Sequence, residues 1–125
     1  MKKVLLIEKD AFLTGIYASK LEDAGYATES SDSLEEGLIK AKDGKPDIIV
    51  VDIDISEEGG LNLLKELKKT DSTKKTPVMV FSNMGDEAHF KKAQECGIDA
   101  YLVKSQYTSN EVVAEVKKIL SRFNS

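Results

Sequence analysis

The chain has one cysteine, one histidine, two prolines and no tryptophan among its 125 residues. A lone Cys96 cannot form an intrachain disulfide, which fits a reducing compartment and sets the expectation of a cytoplasmic protein. A single thiol on an apolar helix face is most often a small core residue, and Cys96 receives no role. His89 has no companion at metal-ligand spacing, so it anchors no zinc-type site. A basic excess is missing as well. Eighteen Lys and Arg face 22 Asp and Glu, a net charge of −4, which argues against a nucleic-acid or anionic-membrane partner. No apolar run approaches a membrane span. The run Val4 to Ile7 behind Lys2 and Lys3 stops at Glu8, too soon for a signal-peptide core. Repeats, low-complexity tracts and interdomain linkers are also lacking. The expectation is a single domain over residues 1–125 with no output domain, long enough to bury a core without staples.

What is present is organised around Pro46-Asp47-Ile48-Ile49-Val50-Val51-Asp52-Ile53-Asp54. Four consecutive apolar residues, Ile48 to Val51, suit a strand buried on both faces, as in a parallel sheet covered by helices. Asp52 then stands at its carboxyl end, the edge where open α/β sheets bind ligands. Three further apolar runs behave alike: Val4 to Ile7, Pro77 to Phe81 and Ala100 to Val103. Tyr26 to Ser30 reads as a weaker edge strand.

Helical signals alternate with these runs. Asp10 can cap a segment carrying Phe12, Leu13, Ile16, Tyr17 and Leu21, with Gly25 as its stop. Ser33-Leu34-Glu35-Glu36 and Thr108-Ser109-Asn110-Glu111 are capping boxes. Ile53 to Gly60 reads as a loop bent at Gly59-Gly60, with a helix beginning at Leu61, and Gly85 to Cys96 as a polar amphipathic helix. Five strands alternating with five helices imply an α/β fold with right-handed crossovers and helices on both faces. A doubly wound, flavodoxin-like (βα)5 sheet of strand order 2-1-3-4-5 sets the first and third strands side by side, and so brings Glu8 and Asp52 into one crevice.

The residues closing the strands are Glu8-Lys9-Asp10, Asp52, Ser82 and Lys104. Clustered acids repel unless a cation sits among them, which argues for a hard metal held by oxygen. A hydroxyl and an ammonium opposite can hold phosphoryl oxygens. A carboxylate between them is a nucleophile toward phosphorus, forming an acyl phosphate. Asp52 alone would read as a turn or cap residue; four strand ends in this order say more.

From about residue 2 to residue 121 the chain resembles a response-regulator receiver domain of two-component signalling. Lys2-Lys3-Val4-Leu5-Leu6-Ile7-Glu8, the stretch ending at Asp52, Pro77-Val78-Met79-Val80-Phe81-Ser82 and Gly97-Ile98-Asp99-Ala100-Tyr101-Leu102-Val103-Lys104 carry the likeness. It implies a single-domain phosphorelay signalling protein rather than an enzyme, with at most self-phosphorylation and self-dephosphorylation at Asp52. Asp52 is then the phosphoacceptor, taking its group from a histidine kinase or phosphotransfer protein. Ser82 and Lys104 contact the phosphoryl group and Tyr101 is the aromatic switch. Glu8, Asp52 and the backbone carbonyl of Asp54 hold Mg²⁺. The resemblance also implies an unnamed downstream protein, and a homodimer through the fourth and fifth helices and fifth strand.

Several positions depart from that pattern. Lys9 stands where the family has a second metal-binding acid. Either it faces solvent and Mg²⁺ binding is only weakened, with Asp10 able to swing into the vacancy, or its ammonium occupies the cation site and pairs with Asp52. A unit charge beside a carboxylate is worth about 4 kcal/mol at an effective dielectric near 20, enough to matter in either case. Because Asp52, Ser82 and Lys104 are all in place, metal-impaired phosphorylation is the preferred reading. Ser56 and Gly59 replace a usual proline and aspartate, which predicts a more flexible loop. Asn83 replaces a small residue, which predicts narrower access. Ser105 follows Lys104 where a cis-proline is usual, which predicts either a trans bond with a rearranged loop or a strained cis one.

Two rivals stand beside this reading. One is a phosphorylation-independent pseudo-receiver, an interaction module on the same fold. The other is a haloacid-dehalogenase-type phosphohydrolase, which Asp52-Ile53-Asp54 resembles. That family needs its nucleophile strand near the N-terminus and an acid cluster after the lysine, whereas only Glu111 and Glu115 follow Lys104.

Overall fold

The computed structural model describes residues 1–122. Five parallel strands, β1 (Lys3–Ile7), β2 (Ala27–Ser31), β3 (Ile48–Asp52), β4 (Val78–Ser82) and β5 (Ala100–Val103), form one sheet in the order β2-β1-β3-β4-β5. Five helices connect or follow them: α1 (Ala11–Asp23), α2 (Leu34–Gly44), α3 (Glu57–Lys69), α4 (Glu87–Glu95) and α5 (Ser109–Arg122). The doubly wound arrangement expected from βα alternation is the one observed.

Strand periodicity divides the core in two. Val4, Leu6, Ile48, Val50, Met79, Phe81 and Leu102 point to the side covered by α1 and α5, where they meet Tyr17, Leu21, Val112, Val116, Ile119 and Leu120. Leu5, Ile7, Ile49, Val51, Val78 and Val80 point to the other side, against Ala41 of α2, Leu63, Leu64 and Leu67 of α3 and Ala93 of α4. All five residues of β3 are buried, so this strand has no solvent face on which to alternate.

Register sets the site. Ile7 pairs with Val51, Asp52 with Phe81 and Ser82 with Val103. The residue after Ile7 is therefore level with Asp52, while Ser82 lies one step further toward the carboxyl edge and Lys104 one step beyond Ser82.

Local chemistry ends the elements. Asp10 caps α1, accepting from the N–H groups of Phe12 and Leu13. Gly25 after α1 takes φ +96°, which a side chain would resist. The box opening α5 is reciprocal: Glu111 N–H donates to Thr108 Oγ1 (3.2 Å) and Thr108 N–H to Glu111 Oε1 (2.9 Å). The box opening α2 is only half made. Glu36 N–H donates to Ser33 Oγ, but the Glu36 carboxylate pairs with Lys40 instead, at 3.2 Å. The weak second strand runs from Ala27 rather than Tyr26, and α4 starts at Glu87, capped by Asp86, not at Gly85.

The expected loop over residues 53–60 is corrected. Ile53–Ile55 form a 3-10 turn and α3 begins at Glu57, so Gly59 and Gly60 lie in its first turn. Ser56, read as a source of looseness, caps the helix by accepting from Gly59 N–H. A Cβ on Gly60 would lie 2.9 Å from Ile53 Cα and from its carbonyl oxygen. Gly60 thus lets α3 press onto the backbone just after Asp52; its role is close approach rather than bending. All described peptide bonds are trans, including Lys104–Ser105, and Lys104–Gln106 form a second 3-10 turn.

Candidate functional site

The carboxyl edge of β1, β3, β4 and β5 opens into a crevice of about 810 Å³, lined among others by Glu8, Lys9, Asp52, Asn83, Lys104 and Tyr107. Glu8 continues the sheet past β1, its N–H donating to Ser31 O at 2.9 Å. Its side chain is held inward, leaving the residue 4% exposed, and Asp52 is 5% exposed.

Lys104 bridges the two acids. Its Nζ lies 3.1 Å from Glu8 Oε1, 3.4 Å from Glu8 Oε2 and 3.1 Å from Asp52 Oδ2. The other Asp52 oxygen, Oδ1, accepts from Asp54 N–H at 2.9 Å. Burial pushes the Glu8 carboxyl up to about 8, helped by its hydrogen bond to Asp52 and that carboxylate's charge, against the opposing pull of Lys104. Burial works against the Lys104 ammonium, but Asp52 and then Glu8 outweigh it and hold its pKa above that of a free lysine. Lys104 thus sits between the two carboxyl groups as their shared counter-charge.

Of the two placements open to Lys9, the structure shows the solvent-facing one, not an ammonium in the cation site. Lys9 is exposed and, among the described residues, makes no ion pair with Asp52; Lys104 makes that contact instead. Asp10 has not swung into the vacancy, since its carboxylate is committed to the α1 cap.

Ser82 is fully buried, but its hydroxyl is not turned to Asp52. It donates to Asp54 Oδ1 at 2.8 Å, while Asn83 N–H donates to Asp54 Oδ2 at 2.6 Å and Met84 N–H to Ser82 Oγ at 2.9 Å. Tyr101 is half-buried. Its hydroxyl donates to Met84 O at 2.6 Å and its ring meets Phe90 edge-on at 5.5 Å. Burial raises the Tyr101 phenol above its ordinary value.

Two participants were not singled out from the sequence. Tyr17 lines the crevice with its ring 5.2 Å from Phe81, and burial, then the charge of Glu8, raises its pKa. Its helical spacing marked it as core, and a phenol at the sheet edge was the unused signal. The Asp54 carboxylate is the other: the receiver resemblance implies a role for its backbone carbonyl alone.

Glu8 and Asp52, which meet at Lys104, are oxygen ligands of the type a hard divalent cation takes, but among the described residues no cluster of three or more His, Cys, Asp or Glu side chains could hold a metal ion.

A family model described as response regulator receiver domain matches residues 4–117. The phosphate regulon transcriptional regulatory protein PhoB of Pseudomonas aeruginosa is 28% identical over 121 residues, covering 97% of this chain and 52% of that protein. The alkaline phosphatase synthesis transcriptional regulatory protein PhoP of Bacillus subtilis is 30% identical, covering 97% and 49%. The chain thus spans about half the length of these curated relatives. Among solved structures, the receiver domain of Francisella response regulator 1452 superposes with a TM-score of 0.88 at 26% identity, covering 99% of this chain and 100% of that one. With strand order, crevice and whole-length match in agreement, this chain belongs to the response regulator receiver domain family.

Proposed function

We propose that Asp52 is the phosphoacceptor of a two-component phosphorelay, taking its phosphoryl group from a histidine kinase or phosphotransfer protein. The observation that carries this is a buried carboxylate lining an open crevice, with one oxygen on the Lys104 ammonium and the other on a main-chain N–H. In the step, an Asp52 oxygen bonds to phosphorus as the phosphorus–nitrogen bond of phosphohistidine breaks. The leaving imidazole takes up a proton, and an acyl phosphate remains on Asp52. Lys104 lies close enough to follow the growing charge onto the phosphoryl oxygens. Glu8, Asp52 and the Asp54 carbonyl would hold Mg²⁺, which when bound neutralises phosphoryl oxygens. Lys9 in place of a further acid weakens that site.

The modified state would be read at the far side of the crevice. Met84 and Phe90 are exposed hydrophobics joined by Tyr101 to the loop after Ser82. The surface of α4, β5 and α5 is the expected place for a downstream protein or a second copy of the chain. No described helix is long and apolar enough to cross a membrane.

The test is intact-mass measurement after incubation with a small phosphodonor and Mg²⁺, beside Asp52→Asn. A phosphoryl adduct lost in Asp52→Asn is expected; no Asp52-dependent adduct at any Mg²⁺ concentration would refute the proposal. One observation favours the phosphorylation-independent module as the second reading: Lys104 already neutralises Asp52. It prevails if Lys9→Asp binds Mg²⁺ tightly and becomes phosphorylated where the parent does neither.

A further inference from the structure

The geometry points to the Asp54 carboxylate as a latch that holds Ser82 away from Asp52 until phosphorylation, making Asp54 a positioning residue for phosphoryl acceptance. The inference rests on Asp52 being the acceptor.

A serine hydroxyl has a single proton to donate. That proton goes to Asp54 Oδ1, at 2.8 Å, and Met84 N–H donates to one lone pair of the same hydroxyl at 2.9 Å. To hydrogen-bond a phosphoryl oxygen on Asp52, Ser82 must first leave Asp54. The bond to be broken is to a charged acceptor, among the stronger side-chain hydrogen bonds. Asp54 is held by more than the Ser82 hydroxyl, since its second oxygen accepts from the adjoining Asn83 N–H at 2.6 Å and its own N–H donates to Asp52 Oδ1 at 2.9 Å. The same residue therefore touches the acceptor through its main chain and the switch hydroxyl through its side chain.

The latch also has a trigger. A phosphoryl group on Asp52 adds negative charge two residues from the Asp54 carboxylate, and like charges at close range repel. That repulsion favours releasing Ser82 and Asn83. The consequence runs outward, because Met84 carries both the N–H that holds Ser82 and the carbonyl that holds Tyr101. The device opposes the first phosphorylation and couples its completion to the loop before α4.

The test uses the whole chain in four forms: wild type, Asp54→Ala, Ser82→Ala and the double variant. The rate of phosphoryl adduct formation is followed by intact mass with acetyl phosphate and Mg²⁺, and amide hydrogen exchange is measured on the unmodified proteins. Asp54→Ala is expected to accelerate adduct formation by about tenfold, the scale of one hydrogen bond to a charged group. It should also speed exchange at Asn83 and leave β1 unchanged. The acceleration should vanish when Ser82 is also alanine, a dependence that general loosening of the loop would not produce. Asp54→Asn, which keeps one acceptor oxygen, should fall between. The latch is overturned by a wild-type adduct whose rate Asp54→Ala leaves equal or lowers, or by an acceleration that survives in the double variant. Absence of adduct in all four forms overturns the role of Asp52 and the latch with it.

Discussion

Replacing Glu8 by glutamine tests the electrostatics of the site most directly. In the folded chain Glu8 holds its proton up to about pH 8, whereas its unperturbed value is 4.5. Between those values the folded state binds one more proton than the unfolded state, so stability falls as pH rises. The limiting slope for one proton is about 1.4 kcal/mol per pH unit. From about pH 5 to about pH 8 the loss sums to at most about 3 to 4 kcal/mol. Lys104 does not blur this window: its pKa is raised from 10.5, so its contribution is lost only in more alkaline solution. Glutamine mimics the protonated acid, with an oxygen for Lys104 and an N–H₂ for Asp52. Glu8→Gln should therefore match the parent near pH 5 and exceed it near pH 8. The chain has no tryptophan, so urea unfolding is best followed by far-UV circular dichroism. With a urea slope of roughly 2 kcal/mol per molar, the midpoint gap at pH 8 should reach about 1 to 2 M. Parallel pH profiles for the two proteins would refute the assignment of a buried, protonated Glu8.

Lys104→Met removes the only described cation paired with Asp52 and leaves two acids facing each other, which should cost about 3 kcal/mol in urea unfolding, more at pH 8 than at pH 5. Glu8→Gln in that background should recover part of the loss. Gly60→Ala drives a methyl group into the Ile53 backbone and should lower stability by about 1 to 3 kcal/mol by the same measurement; unchanged stability would show that α3 does not depend on that close approach. Thr108→Ala breaks one half of the α5 capping box and should cost about 1 kcal/mol, read as a lower thermal midpoint.

Much of the architecture was legible in the chain because buried parallel strands leave a coarse signal. Ile48 to Val51 could be nothing polar on either face, and each such run ends where its burial ends. Asp10 and Thr108 were legible for a related reason: caps act over three or four residues, within reach of local pattern. The loop after Asp52 was not. Gly59-Gly60 carries the local signature of a bend, but the packing of α3 on Ile53, a tertiary contact, selects glycine there for its missing side chain.

The site divides along the same line. By itself the sequence determined which groups reach the carboxyl edge, because strand period and strand ends deliver Glu8, Asp52, Ser82 and Lys104 there whatever their partners. Only the tertiary structure decided how they pair. Lys9 and Lys104 both bring an ammonium toward that edge, and the sequence offered Lys9 as the awkward neighbour. The register of β5 beside β4 places Lys104 over Glu8 and Asp52, while Lys9, one residue past the last sheet contact of Glu8, is left in solvent. Likewise, nothing in the spacing of Asp54 and Ser82 showed that one would take the other's proton. That bond joins residues 28 apart in the chain and exists only because β3 and β4 lie side by side.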